Sequence, residues 1–541
     1  MRRLCLQVVG IAVAAAIACV ATPASAQQGN APPASGAAEV VSSPSPDPAF
    51  HVSGFLFSGN ESIATAELEE LVAGDAGRPM TLAELEAVVR RVTDYYRRRG
   101  FLVAQAYLPP QEITGGKVQI HVLEGVYGEI ETRGDASLRP GVVEAHLRGI
   151  RSGEPVEVRS LARAVLLLSD LPGVDVEGTL RAGRAPGTTD LVVTLTDGAR
   201  FSGSVTVDNH GGQGGGAVRG IVNLNWNNPL SDGGRLSLSA LTTGPWRRYG
   251  RIAYESPVNR SELRLRATYA VSEYVLGDEF SALDPSGSSR SLSLTASYPL
   301  VRSVERNVIA SLDYSRTHLA DDVAGTILSE RQLDAGTAVV FDERALASGG
   351  RLAYQVSLRA GNLRFLSDSA AALDAATANA AGGYGRVRAS LALERPWGVR
   401  TRFGASLDGQ WASKNLDPSE KFSLGGPEGV RAYPVGEAAG DDGWLARVSL
   451  RRSLGLPGWL AGLHGGALEG FAALDAGGVT VNKTSWPGAG GADTQGLLGG
   501  ALGVSWSRGP FSTELVYAHP LGDDAAGAGG GRWWVQGAWR F

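Results

Sequence analysis

The chain has almost no cysteine: two residues in 541, Cys5 and Cys19, both among the first twenty. Everything downstream therefore lacks disulfides and thiol chemistry, a usage that suits an oxidising compartment. Beyond the N-terminus there is no apolar run near the ~20 residues that a membrane-crossing helix needs. Neither a G-x-S-x-G elbow nor a P-loop occurs, so no enzyme signature is present and no nucleotide site could drive work. The seven histidines are scattered without ligand spacing, which argues against a metal centre; no cofactor is implied. A net charge of −5 leaves no basic field for nucleic acid. Glycine is the excess, at 73 residues, but no G-X-Y period accompanies it, which excludes collagen.

Residues 1–26 have the layout of an export signal. Arg2 and Arg3 supply the positive start, Val8 to Val20 the apolar stretch, and Ala24-Ser25-Ala26 a small-residue cleavage site. Residues 27–49, with Pro32, Pro33, Pro44, Pro46 and Pro48 among Ala, Ser and Gly, read as a linker with no packed core and no long helix.

Residues 50–125 then read as a βααββ unit. His51 to Phe57 alternates as a strand, and Thr65 to Ala73 suits a short helix. A second helix begins after Thr81, with Glu84 placed to close a capping box. Leu82, Leu85, Val89, Val92 and Tyr96 fall on one face, and Gly100 ends the run. Phe101 to Leu108 and Lys117 to Leu123 complete the unit as strands. The same order recurs over 126–199, with helices at Pro140 to Leu147 and Val158 to Leu168. Two small half-sheet units in tandem are an internal repeat with strand edges left open for pairing. The Arg97-Arg98-Arg99 run complements the end of a helix dipole.

From residue 200 to 541 the texture becomes strict alternation. Val387, Ala389, Leu391 and Leu393 oppose Arg388, Ser390 and Glu394, and Trp533, Val535, Trp539 and Phe541 share one side. About sixteen such segments predict a transmembrane antiparallel β-barrel with polar side chains lining a water-filled lumen. Loop lengths sort by parity, as bacterial barrels require. Long outside loops are expected at 275–288, 318–330, 362–384, 413–442 and 477–493, short inside turns at 229–233, 257–261, 396–400 and 508–510. A short outside loop at 243–246 and a longer inside turn at 454–466 break the pattern. An even strand count lets the last strand close on the first, which hydrocarbon demands because unpaired backbone groups there cost several kcal/mol. Asp208-Asn209-His210-Gly211 reads as a turn, and Trp533, Trp534 and Trp539 as interface belt and lumen packing.

Two periplasmic α+β units before such a barrel resemble the two-partner secretion transporters, the haemolysin secretion/activation proteins, in which the units are called POTRA domains. The motif residues are Phe422-Ser423-Leu424-Gly425-Gly426 and Val430-Arg431-Ala432-Tyr433, in the predicted sixth outside loop, 413–442. They are similar to the family's V-R-G-Y-type tip, with Ala432 where Gly is commoner. Phe471 to Gly477 is similar to the family's F-x-D-x-G wall motif: Asp475 and Gly477 fit, but Ala473 stands where Phe is expected, and Phe471 lies one inward position earlier.

The resemblance implies that the sixth loop folds back into the lumen, where Arg431 would make two parallel hydrogen bonds to Asp475. Gly425, Gly426 and Gly429 would allow tight turns and positive φ at the tip. It also implies a cognate exoprotein as partner, captured unfolded, with a haemolysin or adhesin as passenger. The exposed edge at Phe101, Val103, Gln105 and Tyr107 is the candidate capture strand. Further implied partners are outer-membrane lipid, and periplasmic chaperones with the barrel-assembly machinery for the protein's own insertion. A barrel-assembly factor and a diffusion porin are the alternative readings; an outer-membrane enzyme finds no nucleophile.

Overall fold

The computed structural model describes residues 49–212, 214–258, 262–277, 284–455, 466–489, 493–522 and 530–541. The export signal, nearly all of the linker and residues 456–465 of the inside turn at 454–466 therefore lie outside the described residues. The chain divides into two compact units.

In the N-terminal unit, helix α1 (Thr65–Val72) and helix α2 (Leu82–Arg98) cover a three-stranded sheet ordered Gly54–Ser58, Lys117–Leu123, Gln105–Tyr107. The capping box forms as the sequence predicts: the Thr81 side chain accepts the Glu84 N–H, and Glu84 accepts the Thr81 N–H at 2.8 Å. Leu85, Val89, Val92 and Tyr96 are buried against Val118, Ile120 and Val122, each large apolar side chain contributing about 1.5–3 kcal/mol of transfer free energy. Leu82 is instead 53 % exposed, because it is the first helical residue and points away from the sheet.

Tyr96 is fully buried, and its hydroxyl donates to Glu124 at 3.0 Å; Glu124 also accepts the Ser62 N–H at 2.8 Å. Burial, with the Glu124 carboxylate, pushes the Tyr96 phenol far above its usual range. It stays protonated, as a donor must.

Two strand expectations change here. The His51–Phe57 stretch divides at Ser53, whose N–H donates to Gly116 O at 2.7 Å. Its first two residues, His51 and Val52, belong instead to a strand Ala49–Val52 that pairs antiparallel with Arg78–Thr81 in a separate two-stranded sheet. The expected strand from Phe101 shrinks to Gln105–Tyr107. The second sheet is ordered Val126–Gly134, Thr188–Asp197, Val174–Ala182, with helices α3 (Pro140–Leu147) and α4 (Val158–Ser169) following its first strand.

The second unit is a closed antiparallel barrel of sixteen strands, from Phe201–Asp208 to Arg532–Arg540. The seam is made by five pairs, Gln536↔Asp208 through Arg540↔Ser204, and Phe541 adds backbone bonds both ways with Gly203. Closure leaves no edge for the hydrocarbon to face. Leu292, Leu312, Leu358, Leu391, Leu474 and Leu502 stand exposed on the outward face, as lipid-facing positions should.

Strand length is uneven around the wall. The first three strands have 8, 9 and 8 residues, whereas the sixth to eighth have 18, 18 and 20. A span needs about 9–11 residues, so the long strands extend well past the bilayer. This corrects the loop expected at 318–330: the seventh strand runs to Val323 and the eighth starts at Thr326. The connection is Ala324-Gly325, with φ of 52° and 77°, the left-handed pair that a two-residue hairpin turn requires. The fifth outside loop carries a helix that the alternation did not announce, Asp368–Ala376, capped by the Ser367 side chain.

Candidate functional site: a hairpin bound inside the barrel

The eleventh strand ends at Ala412 and the twelfth starts at Asp442. The chain between them turns into the lumen. Its Phe422, Leu424, Val430, Ala432 and Tyr433 are at most 2 % exposed. They pack on Leu445, Phe471, Val479, Leu497, Val516 and Trp534, which the last five strands present inward. This arc of the wall is therefore apolar, where alternation alone predicts a polar lining. The reason is the hairpin itself, which shields these positions from lumen water.

At the tip, the Arg431 Nε donates to Asp475 Oδ2 at 2.8 Å and its Nη2 to Oδ1 at 2.6 Å; the Arg431 backbone N–H adds a third bond to Oδ2 at 3.2 Å. Asp475 is 1 % exposed and Arg431 13 %. The guanidinium also lies 5.8 Å from the Phe471 ring centroid, and Arg451 lies 4.2 Å from the same ring. Desolvation offsets much of the attraction in such a pair, so its main effect is to hold one arrangement.

The tip glycines act differently from the expectation of positive φ. Gly426 alone of the three has it, at 114°. Gly425 and Gly429 are needed for close approach. A Cβ on Gly429 would sit 1.7 Å from Leu424 O, and one on Gly425 2.2 Å from Pro434 O. That proximity lets the Val430 N–H reach Leu424 O at 2.7 Å. Ala432 lies outside the left-handed residues, so a methyl group is tolerated there; it packs where a Cβ on Gly499 would come within 2.6 Å.

Three further holds on the tip escaped the sequence reading in their role. Trp534 donates its indole N–H to Arg431 O at 2.7 Å, Arg447 donates to Glu428 O at 2.9 Å, and the Tyr433 hydroxyl reaches Leu498 O at 3.3 Å. The one available signal was parity: Trp534 sits on the face opposite Trp533 and Val535.

The descending limb is held on another part of the wall. Glu420, 8 % exposed, pairs with Arg359 at 3.1 Å and Arg386 at 2.7 Å, from the ninth and tenth strands. Asp417 pairs with Arg331 of the eighth at 2.9 Å. At the return of the hairpin, Asp441 is fully buried, pairs with Lys421 at 3.1 Å and accepts the Leu416 and Lys483 N–H groups. The hairpin is thus bound to two separate arcs of the barrel.

The candidate capture strand is shorter than expected. Phe101 is buried and forms a bridge with Glu157, and the Val158 N–H donates to Gly100 O at 2.8 Å. That position is already paired. Val103 abuts Gly125, where a Cβ would lie 2.4 Å from its Cγ2. Gln105 and Tyr107 are exposed at the end of the sheet, but the intervening Ala106 N–H is taken by Thr93 Oγ1 at 3.0 Å. Asp208 ends the first strand as the predicted turn begins, with Arg219 bound to both its oxygens at 2.7 and 3.0 Å.

Residues 187–506 match the family described as haemolysin secretion/activation protein ShlB/FhaC/HecB, and residues 50–125 match the ShlB-type POTRA domain. The heme/hemopexin transporter protein HuxB of Haemophilus influenzae is 27 % identical over 74 % of this chain and 71 % of its own. The outer membrane transporter CdiB of Escherichia coli is 25 % identical over 88 % and 79 %. A solved structure of CdiB from Escherichia coli shares the fold with a TM-score of 0.74, at 22 % identity, over 93 % of each chain. With its POTRA region in the periplasm and its sixteen-stranded barrel in the outer membrane, the chain belongs to the haemolysin secretion/activation family of two-partner secretion transporters.

Proposed function

We propose that the protein captures an unfolded exoprotein, of the haemolysin or adhesin class, at its POTRA region and passes it through the barrel as the sixth-loop hairpin yields. One observation carries this reading: the lumen is occupied by a hairpin that side-chain ion pairs hold in place, an obstruction that can be released. The exposed Gln105 and Tyr107 at the end of the sheet are the contact points for the exoprotein, their side chains supplying the choice of partner, because the Ala106 N–H between them is already bonded to Thr93. Arg431 with Asp475 holds the gate in its resting position. Periplasmic chaperones and the barrel-assembly machinery deliver the protein itself to the membrane.

The test is Arg431→Ala with the exoprotein followed in the medium. Secretion is expected to fall to background, while the heat-dependent electrophoretic shift of a folded barrel persists. Normal export by that variant overturns the gate role. Tyr107→Ala is expected to reduce crosslinking to the exoprotein without opening the pore.

A further inference from the structure

The lipid-facing wall carries a furrow of about 710 Å³ across the seventh to eleventh strands. Its floor is made of small residues, Gly336, Ala338, Ala360 and Gly385, and Leu312, Leu358, Val387 and Trp411 rise beside it. The strand register aligns them in rows: Gly336 pairs with Ala360 and Ala360 with Gly385, one row beyond Leu312, Ala338, Leu358 and Val387. Leu312 and Leu358 are 66 % and 55 % exposed, so the furrow opens toward lipid.

The two outward rows beyond it toward the cell exterior carry charge, with Arg316 paired to Asp334 in the first and Arg364 to Gln332 in the second. Asp334 accepts Arg316 Nε at 2.6 Å, Arg364 Nη2 at 2.6 Å, Gln332 Nε2 at 2.8 Å and the Tyr314 hydroxyl at 3.1 Å. Two guanidiniums thus share one carboxylate, which leaves one net positive charge. Arg316 and Arg364 are 57 % and 54 % exposed, and each has five N–H donors, most of them still available.

The height of this cluster follows from the same strand. Eight positions before Asp342, whose pairs with Arg306 and Arg344 mark the periplasmic end of the outward face, stands Asp334 (342 − 334 = 8). At ~3.4 Å per residue and a tilt near 40°, that spacing is a height of roughly 20 Å, close to the ~25 Å apolar band of such barrels. Arg316 and Arg364 therefore lie at the outer headgroup level, directly above an apolar furrow.

We propose that this wall binds a phosphate-bearing lipid of the outer leaflet, its phosphate on Arg316 and Arg364 and an acyl chain along the Gly336–Ala360–Gly385 furrow. Guanidiniums match phosphate oxygens in bidentate geometry, and the net charge complements a phosphate anion. The pair with Asp334 holds both arginines in place while competing with the ligand.

The full-length protein in detergent is titrated with diphosphoryl lipid A, with the same lipid after dephosphorylation, and with inorganic phosphate alone. Preference for the phosphorylated lipid by about tenfold or more, equivalent to about 1.4 kcal/mol, is expected, as is a comparable loss in Arg316→Gln/Arg364→Gln. Gly336→Leu/Ala360→Leu fills the furrow and is expected to weaken lipid A binding; Gly336 has open space for a side chain. Asp334→Asn is expected to strengthen binding, a sign that a purely structural cluster would not give. Equal binding of the two lipids, displacement of lipid A by millimolar phosphate as effectively as by lipid A itself, or wild-type affinity in both double variants overturns the proposal.

Discussion

The indole N–H of Trp534 meets the carbonyl oxygen of Arg431 at 2.7 Å across 103 positions of sequence. Trp534 lies in the last strand, Asp475 in the thirteenth, so two strands hold one residue, the last by its backbone oxygen and the thirteenth by its guanidinium and backbone N–H. Replacing Trp534 with Phe leaves that buried carbonyl without its donor, at a cost of about 1–3 kcal/mol. Secretion by Trp534→Phe is expected to be reduced but measurable, between wild type and Arg431→Ala. Wild-type secretion by this variant would show that the Asp475 bonds suffice.

Glu420 makes the second grip separable from the first. Removing it leaves Arg359 and Arg386, 14 % and 18 % exposed, facing each other without a carboxylate; loss of one partner from a buried pair costs about 3–5 kcal/mol. Planar-bilayer recordings of Glu420→Ala should show more frequent opening than wild type. If the two grips act independently, the gating energies of Glu420→Ala and Arg431→Ala add within about 0.5 kcal/mol in the double variant. A gating energy in the double variant no larger than in either single variant would mean that the hairpin leaves as one piece.

Local rules carried the sequence a long way where one interaction set the structure. The capping box at Thr81 and Glu84 needs only four residues, and the barrel's alternation needs only lipid outside. The Arg431–Asp475 relationship came from resemblance, not from spacing. Legibility failed where distant residues met. Glu420 is one acid among many until Arg359 and Arg386 face it across the lumen. The inward apolar arc looks like an exception to alternation until the hairpin covers it. Above the membrane the strands at 318–330 no longer face lipid, so they lose the apolar alternation that marks a strand and read as loop. Phe101 fits a strand edge by its sequence, and only its pairing with Glu157 removes it.

The start of α2 should respond to acid. The Arg78 guanidinium, then the Thr81 N–H, hold the Glu84 carboxyl below its ordinary range. A group depressed in the folded state stabilises it above its unfolded pKa, near 4.3, and that contribution disappears as pH falls through the lower folded value. Amide exchange at Thr81 and the first turn, corrected for intrinsic rates, is therefore expected to quicken from pH 6 to pH 3 more than at mid-helix Val92. Glu84→Gln should remove most of the pH dependence, because Gln keeps the capping geometry without the charge.

The tip glycines separate two reasons for glycine that a motif alone conflates. At Gly429 the constraint is contact: an added Cβ meets the Leu424 carbonyl at 1.7 Å, backbone against backbone, with no flexible group to yield. Gly429→Ala should break the Val430–Leu424 bond and displace Arg431 from Asp475, with a secretion defect close to that of Arg431→Ala. Ala432 is the converse case, since its backbone is not left-handed and its methyl fills space against Gly499. Ala432→Gly restores the commoner motif residue yet removes buried volume, and should cost about 1 kcal/mol or less with secretion near wild type. If Gly429→Ala secretes normally while Ala432→Gly does not, the backbone approach described at the tip is not what holds the hairpin.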